Sequence, residues 1–273
     1  MDPSLVVGTG LAVLGSKDIL NRLLGPTADY LGGEISQFVK KCNINLDRVF
    51  ASAVRRLDKG MDEPGSVTSR VLKEIVSEGR FCEDELTTEY YGGLLATSRT
   101  REGTDDTVLP YLSLIRELST SQIRLHYIVY ATIHRLFKGN AWEAPDVTKA
   151  SGCDAARIEL GGVDLFKALQ FGIPDSKADV FERASRGLEY RRLLIVIGRD
   201  EDYEDYEAFE PTPDGADLFM MVNGKRGYLS EFFEYELKLP HELFPMPSDF
   251  RRCLRTKSSS ETPKPTTKSS PTS

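Results

Sequence analysis

The chain has 273 residues, 40% hydrophobic and 28% charged, enough for one large domain or two small ones with a buried core. Its net charge of −7 is uneven: residues 250–273 hold six Lys or Arg against one Glu, which leaves 29 basic and 41 acidic side chains before them, a net of −12. A body that acidic repels phosphate backbones and disfavours non-specific nucleic-acid binding.

Residues 5–15 are apolar but shorter than the roughly 20 apolar residues that span a bilayer. They also lack the basic region of a secretory leader, since Asp2 is the only charge before Lys17. A helix packed on the body or on a partner is expected there, with membrane contact as the open alternative. Gly8-Thr9-Gly10 opens like a dinucleotide fingerprint, but the third glycine is missing and no βαβ pattern follows.

Consecutive amphipathic helices come next. Ala28, Leu31, Ile35, Phe38, Val39 and Cys42 recur at helical steps behind Gly25-Pro26. Leu46, Val49, Phe50, Ala53 and Leu57 form a second helix, and Val67, Val71, Leu72, Ile75 and Val76 a third that Gly79 ends. The fourth opens with Glu83, Asp84 and Glu85 at the positive end of its dipole and carries Leu86, Tyr90, Leu94 and Leu95 as an apolar stripe. Gly92-Gly93 in its middle costs roughly 1 kcal/mol per glycine against alanine, which points to a close helix–helix approach or a kink. A fifth helix runs through Val108, Leu109, Leu112, Ile115 and Leu118 with Pro110 in its first turn, and a sixth from about Ser121 to Leu136. Short connections between them predict an antiparallel bundle.

Beyond Trp142 the pattern changes. A short helix over 163–171, a longer one over 176–192, the β-branched run 193–197 and a helix over 216–222 predict a small α+β module of winged-helix-like order. In residues 256–273, 14 of 18 positions are Ser, Thr or Pro, a composition that predicts disorder.

Catalytic signals are sparse. Cys42, Cys82, Cys153 and Cys253 form no C-x-x-C pair, and reduced thiols in a cytoplasmic chain are expected. His126 and His134 stand eight apart on one helix, not the four that aim at one metal, and His241 is remote; partly buried or surface roles are expected. The acidic run Asp200, Glu201, Asp202, Glu204, Asp205, Glu207 and Glu210 does not follow the calcium-loop spacing, and a solvated loop or edge strand is expected. No phosphate loop or nucleophile elbow occurs, so no catalytic, cofactor-binding or metal residue is assigned.

Leu23-Leu24-Gly25-Pro26 with Leu31-Gly32, Asp84-Glu85-Leu86 with Leu94-Leu95-Ala96, and Tyr111-Leu112 with Leu118-Ser119 resemble the abortive infection alpha (Abi-alpha) family of bacterial phage-defence proteins. Pro211-Thr212-Pro213-Asp214-Gly215 with Phe219 is similar, more faintly, to that family's Thr-Pro-x-Gly segment. The resemblance covers residues 23–137 and, weakly, 205–222. The chain departs from the pattern at Tyr90-Tyr91-Gly92-Gly93, where the family more often has Trp and then Ala-Asn. The resemblance implies phage defence and transfers no catalytic residue.

The expectation is therefore a mainly α chain: a helical bundle domain over 1–140, a small α+β module over 141–250 and a disordered tail over 251–273. A non-enzymatic binding or sensing component, acting with a protein partner or a second copy and without a cofactor, is the leading function. A nuclease-like toxin with converged carboxylates and a membrane-acting effector using residues 5–15 are the alternatives. Deleting residues 256–273 is expected to move the melting midpoint by less than about 2 °C in a thermal scan, whereas a docked tail would lower it by roughly 10 °C.

Overall fold

The computed structural model of the protein describes residues 22–23, 44–138, 144–169, 177–198, 206–237 and 246–253. The segment 5–15, the helix expected over 28–42, the carboxylates of 200–205, His241 and residues 254–273 lie outside them. In chain order the helices are α1 (Ile44–Leu57), α2 (Ser69–Gly79), α3 (Glu85–Ser98), α4 (Leu109–Glu117), α5 (Thr120–Phe137), α6 (Ala150–Ala155), α7 (Gly162–Ala168), α8 (Lys177–Tyr190) and α9 (Pro213–Val222). The strands are β1 (Ile158–Gly161), β2 (Leu194–Gly198), β3 (Tyr206–Pro211) and β4 (Phe250–Arg252).

Local chemistry sets the helix ends. Thr68 caps α2 by accepting from the Val71 N–H, and Asp84 caps α3 by accepting from the Thr87 N–H. Ser119 and Gln122 cap α5 reciprocally, each side chain accepting from the other's backbone N–H. Pro110 sits in the first turn of α4, where its missing N–H costs nothing.

The fourth predicted helix carries more than a stripe. All of α3 except Glu85 and Thr87 is buried, because α1, α2, α4, α5 and α9 surround it. Its two glycines make this possible. A Cβ on Gly92 would overlap the Ser52 hydroxyl of α1, and one on Gly93 would overlap the Val222 carbonyl of α9. Close approach, on two faces at once, explains the pair.

The sheet is antiparallel throughout, in the order β2-β3-β1-β4. Ile158 of β1 pairs with Phe209 of β3 on one side and Arg252 of β4 on the other, while Val196 of β2 pairs with Phe209. Strand β2 falls on the expected β-branched run. Strands β1 and β4 and helix α6 were not anticipated. β4 also corrects the tail boundary: Arg251 and Arg252 pair with β1, and the Cys253 N–H donates to the Arg157 carbonyl. A composition count cannot register this, because the Arg251 guanidinium is held by the Glu159 carboxylate rather than by apolar burial.

The reading of Glu207 and Glu210 as solvated is corrected as well. β3 is an interior strand, and its Glu207 and Glu210 are only 4% and 5% exposed. Glu210 is neutralised there by Arg157, whose Nε and Nη2 donate at 2.8 and 2.6 Å. Charge runs face water only where no partner charge crosses the sheet.

The buried side chains form one cluster that continues from α1–α5 through β1, α8, β3 and α9. Gly93→Ala is expected to destabilise by roughly 1–3 kcal/mol in urea unfolding, since backbone rather than a mobile side chain blocks the added methyl. A stabilised variant, as helix propensity alone would give, would contradict this packing.

Candidate functional site

Two arrangements of polar groups distinguish this molecule, one inside and one on the surface. The interior one begins with His126 and His134, both buried rather than partly exposed. His126 meets Tyr90 of α3 and Gly215 of α9, and His134 packs on the rings of Phe232, Phe233 and Tyr235, so the surface alternative considered for them does not hold. His126 Nε2 is 3.0 Å from the Gly215 carbonyl, which can only accept, so Nε2 carries the proton. Nδ1 then accepts from the Tyr90 hydroxyl at 2.7 Å. One turn along α5, the Tyr130 hydroxyl donates to the Leu193 carbonyl at 2.7 Å and accepts from the Thr212 N–H at 2.9 Å. Thr212 caps α9 by accepting from the Gly215 N–H, and a Cβ at Gly215 would strike Tyr130 and the Leu193 carbonyl. Thr212-Pro213-Asp214-Gly215 is therefore the joint that fixes α9 to α5.

Ionic contacts hold the rest of that interface. Glu89 of α3 accepts from Ser52 at 2.9 Å and Arg56 at 2.8 Å, with Arg55 on its other oxygen. Burial alone would raise the Glu89 carboxyl, but the two guanidiniums and the hydroxyl outweigh it and hold the group below the ordinary carboxylate range. Arg56 Nε also donates to the Val222 carbonyl at 3.1 Å, and the Thr97 hydroxyl donates to the Met221 carbonyl at 2.7 Å. Glu89 and the two arginines neutralise one another. Among the described residues no group of three or more His, Cys, Asp or Glu is placed to hold a metal ion.

The surface arrangement is a groove where the end of α2 and the start of α3 meet α4. Its wider part encloses about 560 Å³ and is lined by Phe81, Cys82, Glu83, Asp84, Tyr91 and Ile115, among others. A narrower part of about 190 Å³ continues along Arg70, Glu74, Leu109, Leu112 and Ser113, and Glu78 and Arg116 line both. Phe81 stands at the rim, 69% exposed, with the Arg80 guanidinium 4.5 Å above its ring.

Carboxylates outnumber cations in the groove's lining, Glu74, Glu78, Glu83 and Asp84 against Arg70 and Arg116. Burial, reinforced by Glu78 and Asp84, pushes the Cys82 thiol up to about 12. Burial, with Cys82 and Glu78 adding to it, holds the Tyr91 phenol well above its usual range. Cys82, Cys153 and Cys253 are free thiols, and burial also takes Cys153 up to about 11, so neither shifted thiol is a thiolate nucleophile at neutral pH. Asp84 is already engaged by the Thr87 N–H and by Arg124 at 2.7 Å, while Glu85 points to solvent. Of the groove's other carboxylates, Glu83 was placed from sequence at the start of the fourth helix, whereas Glu74 and Glu78 were not singled out. Glu74 and Glu78, a like-charged pair one turn apart on α2, were the available signal.

Burial lowers the His126 imidazole to about 4. The folded state needs it neutral, whereas the unfolded chain takes up the proton below about 6.5. Its contribution is therefore complete above about pH 6.5 and falls as the pH drops towards 4, by about 3 kcal/mol in all. Urea midpoints across that range are expected to fall more steeply for the wild type than for His126→Gln; parallel slopes would contradict the buried neutral assignment. Among the described residues, no helix is long and apolar enough to cross a membrane.

Compared with protein-family models, with curated proteins and with solved structures, the chain matches none.

Proposed function

We propose that this chain is a non-enzymatic binding or sensing component of a bacterial phage-defence system of the abortive-infection type, working in the cytoplasm with a protein partner or a second copy of itself. The observation that carries the binding role is the open, acidic groove along α2 and α4, set beside buried ion pairs at Arg56–Glu89 and Arg157–Glu210. The phage-defence setting rests on the Abi-alpha resemblance at Leu24-Gly25-Pro26, Asp84-Glu85-Leu86, Leu94-Leu95-Ala96 and Leu118-Ser119.

In finer detail, the fold is a helical bundle carrying a winged-helix-like unit. The element order α6-β1-α7-α8-β2-β3, with β3 between β1 and β2, supports that reading. In such a unit α8 would be the helix presented to a ligand. Here α8 packs on α5, with Gly187 pressed against the Gln122 side chain. The residues that join β2 to β3 in sequence include five carboxylates against the single Arg199. Both features favour a protein partner over a phosphate backbone.

The test is a plaque assay with the complete native gene neighbourhood. The intact locus is expected to protect, and Glu74→Lys/Glu78→Lys to abolish protection while the protein still accumulates. Protection is expected to survive alanine at Asp202 or Asp205. Loss of protection with a folded Asp202→Ala or Asp205→Ala variant would favour a catalytic or metal role, and an intact locus that stops no phage in a broad panel would remove the defence assignment.

A further inference from the structure

Leu194 of β2 lies opposite Pro211 of β3, which has no N–H to donate, so these two residues do not exchange hydrogen bonds. Bonded and non-bonded pairs alternate along an antiparallel ladder. Ile195 opposite Glu210 is therefore a bonded pair, and Val196 opposite Phe209 is not. The backbone N–H and carbonyl of Val196 turn away from β3, towards the outer side of the sheet. Among the described residues no strand pairs with β2 on that side. The Val196 N–H donates instead to the side chain of Glu189, at the end of α8, with Oε1 at 2.9 Å. A carboxylate oxygen stands where the carbonyl of a neighbouring strand would stand.

Little else guards this edge. Proteins blunt edge strands with proline, charge or a bulge. Leu194–Gly198 contains no proline and no charged residue, and its one register shift comes after Val196. Ile195 is 43% exposed, and Tyr190, next to Glu189 in the chain, is 86% exposed. In sequence, Arg191-Arg192 precede the strand, and Asp200-Glu201-Asp202 follow it after Arg199. Antiparallel pairing of two copies therefore brings a basic end to an acidic end twice. It also sets Val196 opposite the second copy's Val196, each N–H donating to the other's carbonyl.

We propose that the outer edge of β2 pairs antiparallel with the same edge of a second copy, and that Glu189 is the latch that closes this edge in the single chain. The Glu189 carboxylate and the incoming carbonyl compete for one N–H, so pairing requires the side chain to swing aside. This surface is separate from the groove, and it selects the second copy among the partners of the proposed function.

The test is sedimentation equilibrium of the purified full chain over a range of concentrations. Glu189→Ala is expected to tighten the monomer–dimer equilibrium at least about tenfold over the wild type. Glu189→Gln, whose amide oxygen still accepts from Val196, is expected to behave as the wild type does. Val196→Pro in the Glu189→Ala background is expected to cancel the gain, because it removes the N–H that pairs outward and none that bonds β3. Ile195→Lys in the same background keeps every backbone group, and is expected to cancel the gain by placing a charge on the edge. A Glu189→Ala chain that dimerises no more tightly than the wild type would overturn the proposal. So would a gain that survives both Val196→Pro and Ile195→Lys, since the contact would then lie elsewhere. A Glu189→Ala chain that stays monomeric but binds a synthetic peptide of residues 254–273 would overturn it too, with the chain's own tail as the occupant. The measurement involves no phage, so its failure and failure of the plaque assay are separate results.

Discussion

Everything in this fold depends on how closely α9 approaches α3 and α5. At Gly93 the backbone of α3 lies against the Val222 carbonyl with no room for a methyl group, and at Gly215 the start of α9 lies against Tyr130 and the Leu193 carbonyl. Where backbones come this near, polar groups on both sides are stripped of water, and each needs a partner. The Tyr90–His126–Gly215 chain and the Tyr130 hydroxyl, shared between Leu193 and Thr212, meet that need. Small residues set the distance and hydroxyl and imidazole groups satisfy what the distance exposes, so neither feature is stable without the other.

The same constraint explains the buried charges. Glu89, Arg56 and Ser52 lie between α1, α3 and α9, and Arg157 with Glu210 crosses from the start of β1 to β3. Such pairs seldom add much over an apolar replacement, but breaking one leaves an uncompensated charge and costs several kcal/mol, about 3–5. Their effect is specificity of fit: α9 docks in the one position where Arg56 reaches the Val222 carbonyl and Thr97 reaches Met221.

Much of this was legible in the sequence. Periodicity located α1 to α5 because each carries an apolar face at three- and four-residue steps, and the capping residues Thr68, Asp84 and Ser119 stand where helix starts are expected. Gly92-Gly93 signalled close packing, although not that two different helices would use the two glycines. What escaped was whatever depends on distant partners. Ile158–Gly161 is too short to show alternation, and β4 is two arginines and a phenylalanine whose strand character comes from pairing with β1. Glu210 read as solvated because no local rule brings Arg157 across the sheet. The histidines read as partly exposed because the carbonyl that receives the His126 proton lies 89 residues away. The groove escaped for the same reason, since its two walls come from separate helices.

The central claim is that α9 belongs to the helical core rather than to a separate unit, and native-state hydrogen exchange tests it most directly. Amides of α3 and α9 are expected to exchange with the same free energy, equal to that of global unfolding, and to lose protection together as denaturant is raised. If α9 and the sheet opened at distinctly lower free energy while α3 remained protected, the close approach at Gly93 and Gly215 would not be what holds this fold together.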